Sequence, residues 1–360
     1  MHNITSDHTP RCLTILGARP QFIKAAPLSD ALRQMGWEEL LVHTGQHYDS
    51  ELSDIFFEEL NLPPPDYHLN ISGGGHGDMV GRMLIALEPL LKSAKPDVVL
   101  VYGDTNSTLA GALSAAQLNL PIAHVEAGLR SYRMEMPEEK NRRITDHLST
   151  YLFCPTYSSI DNLKREGIVD HVYWVGDLMY DMALRVQTHQ EILTRLNVEP
   201  LSYDVMTMHR AEICDHPERF KERLDWILKK RQVTHRPVVW PIHPRARFAL
   251  SKLLGINIDD ILLIDPVGYS EMATLIKYAH EVYTDSGGVQ REAFFHQTLC
   301  TTLRDESEWL ETVEAGWNRL WHQRNQEFPQ ERSLPSEFGN GDASRKIVEI
   351  LTREVTGMMG

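Results

Sequence analysis

The 360-residue chain has no cysteine pair, no long apolar run and no excess of positive charge. Its four cysteines (Cys12, Cys154, Cys214, Cys300) are far apart and form no CxxC, which removes the common zinc-ribbon and dithiol patterns. Three of them sit in or beside apolar strand-like runs, so buried free thiols in a reducing, cytoplasmic compartment are expected. Residues 1–11 are polar and lack an apolar h-region, and no apolar segment reaches spanning length, so neither a secretory leader nor a membrane partner is expected. A formal charge of −14 argues against nucleic acid, which would favour a basic face. There is no Walker sequence, and Gly17-Ala18-Arg19 lacks the three-glycine dinucleotide fingerprint, which counts against ATP and nicotinamide chemistry. His43, His47, Asp49 and His243 match no established ligand spacing and fall on separate predicted strands, so no metal site is expected.

What is present is alternation. Apolar content of 42% with 24% charged residues is that of a soluble globular protein, and the length suffices for two domains with separate cores. Strands are predicted at Cys12 to Leu16, Leu40 to His43, Val98 to Tyr102, Ile122 to Val125, Tyr151 to Cys154 and Val172 to Val175. Segments such as Phe22 to Met35 and Met79 to Ala94 between them have helical periodicity. A polar link from Leu184 to Tyr203 interrupts the pattern. It restarts with Val205 to Met208, Val238 to Trp240, Ile261 to Ile264, Glu281 to Thr284 and Thr298 to Thr302, and Ala343 to Glu354 reads as a closing amphipathic helix. The expected fold is α/β, with two doubly wound, Rossmann-like parallel-sheet domains facing each other across a cleft. Their expected extents are 1–185 and 186–341, with 342–360 a terminal helix.

Polar residues gather just after these strands, where open parallel sheets bind ligands. Asp285-Ser286-Gly287-Gly288 follows Glu281 to Thr284 and opens a helix; unpaired N–H groups and the helix dipole there would suit a phosphate, though a capped tight turn reads equally well. Glu292, one turn further on, is placed to accept hydrogen bonds from ribose hydroxyls. Arg19, Arg210 and the Ser286-Gly287-Gly288 turn form a candidate diphosphate clamp, with His243 after the next strand. Asp104, Glu126 and Glu138 stand at or near strand ends and suit general acid/base work; they could equally cap helices or pair with Arg130, Arg142 or Arg143. One of Glu138 and Glu139 reads as structural. His209, at a strand end beside Arg210, is the strongest imidazole candidate.

Taken in order, these stretches resemble the non-hydrolysing UDP-N-acetylglucosamine 2-epimerase family. The resemblance runs through Gly17-Ala18-Arg19-Pro20, Thr44-Gly45-Gln46-His47, Gly103-Asp104-Thr105-Asn106-Ser107, His124 to Arg130, Pro137 to Arg142, His209-Arg210-Ala211-Glu212, Asp285 to Ala293 and Leu303-Arg304-Asp305. It implies a glycosyltransferase-B type fold, the last helix crossing back to the first domain, and inversion at C2 of a UDP-linked 2-acetamido sugar without an added cofactor. The implied route eliminates UDP to a glycal and adds it back. Asp104, Glu126, Glu138 and His209 are the implied catalytic residues; Arg19, Arg210, His243, Ser286, Gly287, Gly288 and Glu292 the UDP contacts; Arg142 and Arg304 sugar contacts. A homodimer is also implied.

Tyr48-Asp49, Gly73 to Gly77, Asp265 to Tyr269 and Arg304 to Trp309 are more similar to the branch acting on UDP-2,3-diacetamido-2,3-dideoxyglucuronate, which serves O-antigen synthesis, and Tyr48-Asp49 departs from the motif tied to activation by substrate. A uronate would need a cation at its C6 carboxylate, for which Lys140, Arg133 and Arg143 are candidates. A hydrolysing relative, a glycosyltransferase of the same fold and a nucleotide-sugar sensor are the alternatives.

Overall fold

A computed structural model describes residues 9–46, 57, 59–253, 257–334 and 336–357. The chain divides into two compact units, Met1–Leu184 with Ser336–Gly360, and Arg185–Pro335.

The first unit is built on a seven-stranded parallel sheet. In chain order it runs β1 (Arg11–Leu16), α1 (Arg19–Gln34), β2 (Glu38–His43), β3 (Tyr67–His68), α2 (His76–Ala94), β4 (Val98–Tyr102), α3 (Asn106–Gln117), β5 (Ile122–Val125), α4 (Pro137–Leu148), β6 (Tyr151–Cys154), α5 (Tyr157–Arg165), β7 (Val172–Trp174) and α6 (Leu178–Arg185). The spatial order β3-β2-β1-β4-β5-β6-β7 puts β1 and β4 at the centre. Central strands are covered on both faces, so β4 reads Val-Val-Leu-Val-Tyr with every residue buried. On one face Leu13, Ile15, Val99 and Val101 pack with Met83, Leu87 and Leu91 of α2 and Ala112 and Ala115 of α3.

The second unit repeats the scheme with six strands. Its order is α7 (Glu191–Leu196), β8 (Asp204–Thr207), α8 (Ala211–Cys214), α9 (Pro217–Thr234), β9 (Val238–Pro241), α10 (Pro244–Ser251), β10 (Ile261–Ile264), α11 (Tyr269–Lys277), β11 (Glu281–Thr284), α12 (Gly287–Phe295), β12 (Leu299–Thr302), α13 (Leu310–Glu314) and β13 (Asn318–Arg319). The sheet order is β10-β9-β8-β11-β12-β13. Alternate residues supply two cores, Met206, Trp240 and Tyr283 with Phe220 and Leu224 on one face, Val205, Val239 and Val282 with Leu275 and Ile276 on the other.

The expected pair of doubly wound α/β domains is present, and most central strands lie within a residue of their predicted limits. The strand expected at Val205 to Met208 begins one residue earlier, at Asp204. β3 and β13 were not anticipated: each is a two-residue edge strand, too short to show a period.

Register matters for function. Leu16 pairs with His43, Ile15 with Val101 and Tyr102 with Val125, so β1, β2, β4 and β5 end together and release their loops at one edge.

The helix Ala343–Thr356 belongs to the first unit, where it packs on α1 and its Thr352 hydroxyl accepts from the Trp37 indole at 3.0 Å. Its own N-cap, Asp342, makes no capping bond. The buried Asp181 of α6 accepts instead from the amides of Ala343 (3.1 Å) and Ser344 (2.8 Å) and from the Ser344 hydroxyl (2.7 Å). Asp181→Ala would leave those donors buried and unmatched. It is expected to cost roughly 1.5–3 kcal/mol in the urea unfolding of the first unit and to expose the terminal helix to limited proteolysis; an unchanged midpoint would remove Asp181 from this role.

Candidate active site

Gly17 follows β1 in a crowded position. A Cβ there would lie 2.1 Å from Ser107 Oγ and 2.2 Å from Thr44 Oγ1, so only glycine lets the β1, β2 and β4 loops meet. Those hydroxyls bond each other at 2.8 Å, and the Ser107 amide and hydroxyl both donate to Gln46 Oε1. Gln21 of α1 locks the arrangement: its carbonyl oxygen accepts from the Gly17 and Ala18 amides, and its amide donates to the Tyr102 carbonyl and to Thr105 and Thr108. Arg19 follows at the exposed first position of α1.

Beside this frame stand the carboxylates. β4 leads into Gly103 at φ +65°, then Asp104, and Thr105 caps α3. β5 leads into Glu126, whose φ of +70° is uncommon for a residue with a side chain and costs about 1–3 kcal/mol. Glu126 is ion-paired with Lys24 of α1, and Asp104 with Arg142 of α4, both cations being buried. Glu126 also lies against Gly103, where a Cβ would come within 3.1 Å of its Oε2. The two acids therefore belong to neighbouring loops.

α4 carries the rest. Pro137 starts the helix, Glu138 is half-buried, and Glu139 is fully buried. Glu139 accepts from the amide and hydroxyl of Ser131 and pairs with Arg143 at 2.8 Å and Arg142 at 3.4 Å. Burial pushes its carboxyl up, but these donors and cations outweigh burial and hold it below the usual range. Asn141 donates to the Asp104 carbonyl (3.0 Å) and to Asn106 Oδ1 (3.3 Å), and the Asn106 side chain also meets Nδ1 of His76.

The second unit holds a different set. Fully buried Asp285, just after β11, accepts from the amides of His209 (2.7 Å) and Arg210 (2.8 Å) and pairs with His209 Nδ1 at 3.2 Å. Desolvation raises its carboxyl, yet His209 and the two amides prevail and lower it. The His209 and His243 rings lie 5.6 Å apart. Ser286 caps α12 through the Val289 amide, leaving Gly287 and Gly288 in its first turn. First-turn amides have no intrahelical acceptor, and an anion is favoured there. Arg210 and His243 likewise stand at N-caps, of α8 and α10. Glu292 is buried one turn into α12. Arg291 stacks on Trp309, 3.9 Å from the ring centroid.

The expected residues thus form two sets, one on each unit. Asp104, Glu126, Glu138, Arg19 and Arg142 lie on the first; His209, Arg210, His243, Ser286, Gly287, Gly288, Glu292 and Arg304 lie on the second. Arg142 and Arg304, the residues expected at the sugar, are both engaged by carboxylates of their own units. Arg142 is held by Asp104 and Glu139, and buried Arg304 by Glu212 at 3.0 Å and Glu308 at 3.4 Å. Of the cations considered for a uronate, Arg133 pairs with Glu135, and Arg143 with Glu139. Lys140 is exposed on α4, about 160° around the helix from Arg142.

His47, Tyr48 and Asp49 lie outside the described residues. Among the described residues no group of three or more His, Cys, Asp or Glu is disposed to hold a metal, and no helix is long and apolar enough to cross a membrane. Lys24 and Gln21 were not singled out from sequence, and Asp285 was named only as the start of its stretch, with no role; a lysine inside the otherwise apolar run Ile23 to Ala26 was the available signal for Lys24.

The profile of the UDP-N-acetylglucosamine 2-epimerase family matches residues 30–352. A Methanococcus maripaludis protein named UDP-N-acetylglucosamine 2-epimerase homolog is 46% identical over 358 residues, covering 95% of this chain and 99% of its own. The UDP-2,3-diacetamido-2,3-dideoxy-D-glucuronate 2-epimerase of Pseudomonas aeruginosa is 46% identical over 356 residues, covering 95% and 99%. The crystal structure of Methanocaldococcus jannaschii UDP-GlcNAc 2-epimerase in complex with UDP-GlcNAc and UDP matches with a TM-score of 0.87 at 42% identity, over 95% of this chain and 99% of that one. This chain belongs to the UDP-N-acetylglucosamine 2-epimerase family.

Proposed function

We propose that the protein is a non-hydrolysing 2-epimerase, an isomerase of UDP-linked 2-acetamido sugars. The observation that carries the reading is the pair Glu126 and Asp104, anionic side chains on adjoining parallel-strand loops, each matched to a buried cation. C2–H of a sugar is a weak acid, so its removal needs a positioned base, and the departing diphosphate needs charge stabilisation. In this reading Asp104, Glu126 and Glu138 move the C2 proton. His209, Arg210, His243 and the Ser286-Gly287-Gly288 turn, all on the second unit, hold the diphosphate. Glu292 accepts from the ribose. UDP leaves across C1–C2, a glycal stays bound, and UDP returns with the proton on the other face of C2.

The diacetamido-uronate is the favoured substrate, supported by the 46% identity to the Pseudomonas relative and by the Gly73 to Gly77 and Asp265 to Tyr269 stretches. The reading also includes a homodimer, implied by the family, and a cytoplasmic setting, supported by four buried free thiols.

Incubation with each UDP-sugar in deuterated water tests the reaction. Proton NMR should show deuterium entering C2 while the UDP-sugar stays intact. Accumulating UDP with a reducing sugar would instead indicate hydrolysis, and no exchange without an acceptor a transferase. Glu126→Gln should lower the exchange rate by about 10²–10⁴-fold with UDP affinity nearly unchanged; normal turnover would remove Glu126 from the mechanism.

His209 gives the complementary result. His209→Gln should weaken UDP binding by calorimetry roughly ten- to a hundred-fold, the worth of one charge-assisted hydrogen bond. Equal affinity in the two proteins would place the diphosphate elsewhere.

A further inference from the structure

The interior of the first unit holds a charge cluster that the reaction above does not use. His124, in β5, is fully buried. Its Nδ1 lies 2.7 Å from Asp146 Oδ1 and its Nε2 2.7 Å from the Gly103 carbonyl oxygen. A carbonyl oxygen only accepts. Asp146 faces Arg130 at 2.7 Å through its other oxygen and receives the Gly128 amide at 3.3 Å, so it too is an acceptor. Burial raises the Asp146 carboxyl, but His124 and Arg130 prevail and lower it, as an acceptor role requires. A neutral imidazole has one donor and one acceptor nitrogen; at this site both nitrogens meet acceptors. Arg130 pairs in turn with Glu166 at 2.7 Å, so a ring carrying both protons makes the four-residue cluster neutral.

The attachments give the cluster a purpose. Gly103 immediately precedes Asp104. Glu126 lies midway between His124 and Gly128, both bonded to Asp146, so its unusual backbone is pinned on either side. Asp146 is on α4, the helix whose first turn carries Glu138 and Glu139. We propose that His124 is a buried imidazolium and a positioning residue, the common anchor of the three segments that bear Asp104, Glu126 and Glu138. It touches no substrate in this scheme; it fixes where the acids stand.

The positioning role rests on the epimerase reading, but the ring's protonation does not. Nitrogen-15 histidine NMR of the wild-type protein, assigned through backbone correlations, should show both ring nitrogens of His124 protonated, with solvent-protected N–H signals. A bare ring nitrogen would overturn the proposal whether or not any variant folds. His124→Gln, measured per folded molecule, should lower kcat for C2 exchange by roughly 10²-fold with KM and UDP affinity within a few-fold, the pattern of misplaced acids. A folded variant with wild-type kcat would also overturn it. If the wild-type protein exchanges C2 in no UDP-sugar, the epimerase reading falls while the ring result stands by itself.

Discussion

A charge removed from water must be compensated where it sits, because an unpaired buried ion costs several kcal/mol. That constraint shapes the functional edge of both units. Lys24 lies beneath Glu126, Arg142 beside Asp104, His124 and Arg130 against Asp146, and His209 beside Asp285. In the first unit each of these pairs joins separate elements: α1 to the β5 loop, α4 to the β4 loop, β5 to α4. Electrostatics therefore supplies placement. An acid held by a cation from another helix has a defined position, which proton transfer to carbon demands more strictly than binding does.

In the proposed reading the second unit meets an anion by different means. Its arginines near the sheet edge are largely engaged: Arg304 by Glu212 and Glu308, Arg291 by the face of Trp309. The amides of Gly287 and Gly288 are oriented by the helix itself. In the proposed reading, a seat made from backbone donors also explains how a chain of net charge −14 would hold a diphosphate. In that reading fixed dipoles at a helix start act together with His209 and Arg210, and the overall field matters less. Asp285 adds a refinement. By drawing in the His209 and Arg210 amides and the His209 ring, it sets the geometry of the β8 loop.

Much of this was legible in the sequence, for a physical reason. Central parallel strands are covered on both faces, so Val98 to Tyr102 and Ile122 to Val125 stand out as unbroken apolar runs, and the polar residue after each is a site candidate by topology alone. The two-residue edge strands escape this logic: Tyr67–His68 and Asn318–Arg319 have neither length nor pattern. Side chains that work through distant partners escape it as well. Lys24 meets Glu126 across 102 positions, and Gln21 meets Tyr102 across 81. His124 was read as part of a strand, although an imidazole in a fully buried strand implies a polar partner across the core.

The adjacent acids Glu138 and Glu139 show how far geometry refines such a reading. Sequence alone left one of them as structural. Successive helix positions are about 100° apart, so Asn141 and Arg142, which reach the Asp104 loop, lie within about 60° of Glu138. Glu139 points elsewhere and is enclosed by Ser131, Arg142 and Arg143. Protonating it would abandon two ion pairs and two hydrogen bonds in a dry site, so it is poorly suited to giving and taking a proton in each turnover. Glu138 shares the face of Arg142 and keeps part of its surface open. Of the two, Glu138 is therefore the one that joins Asp104 and Glu126 in the proposed proton transfer, while Glu139 fixes the helix start that presents it.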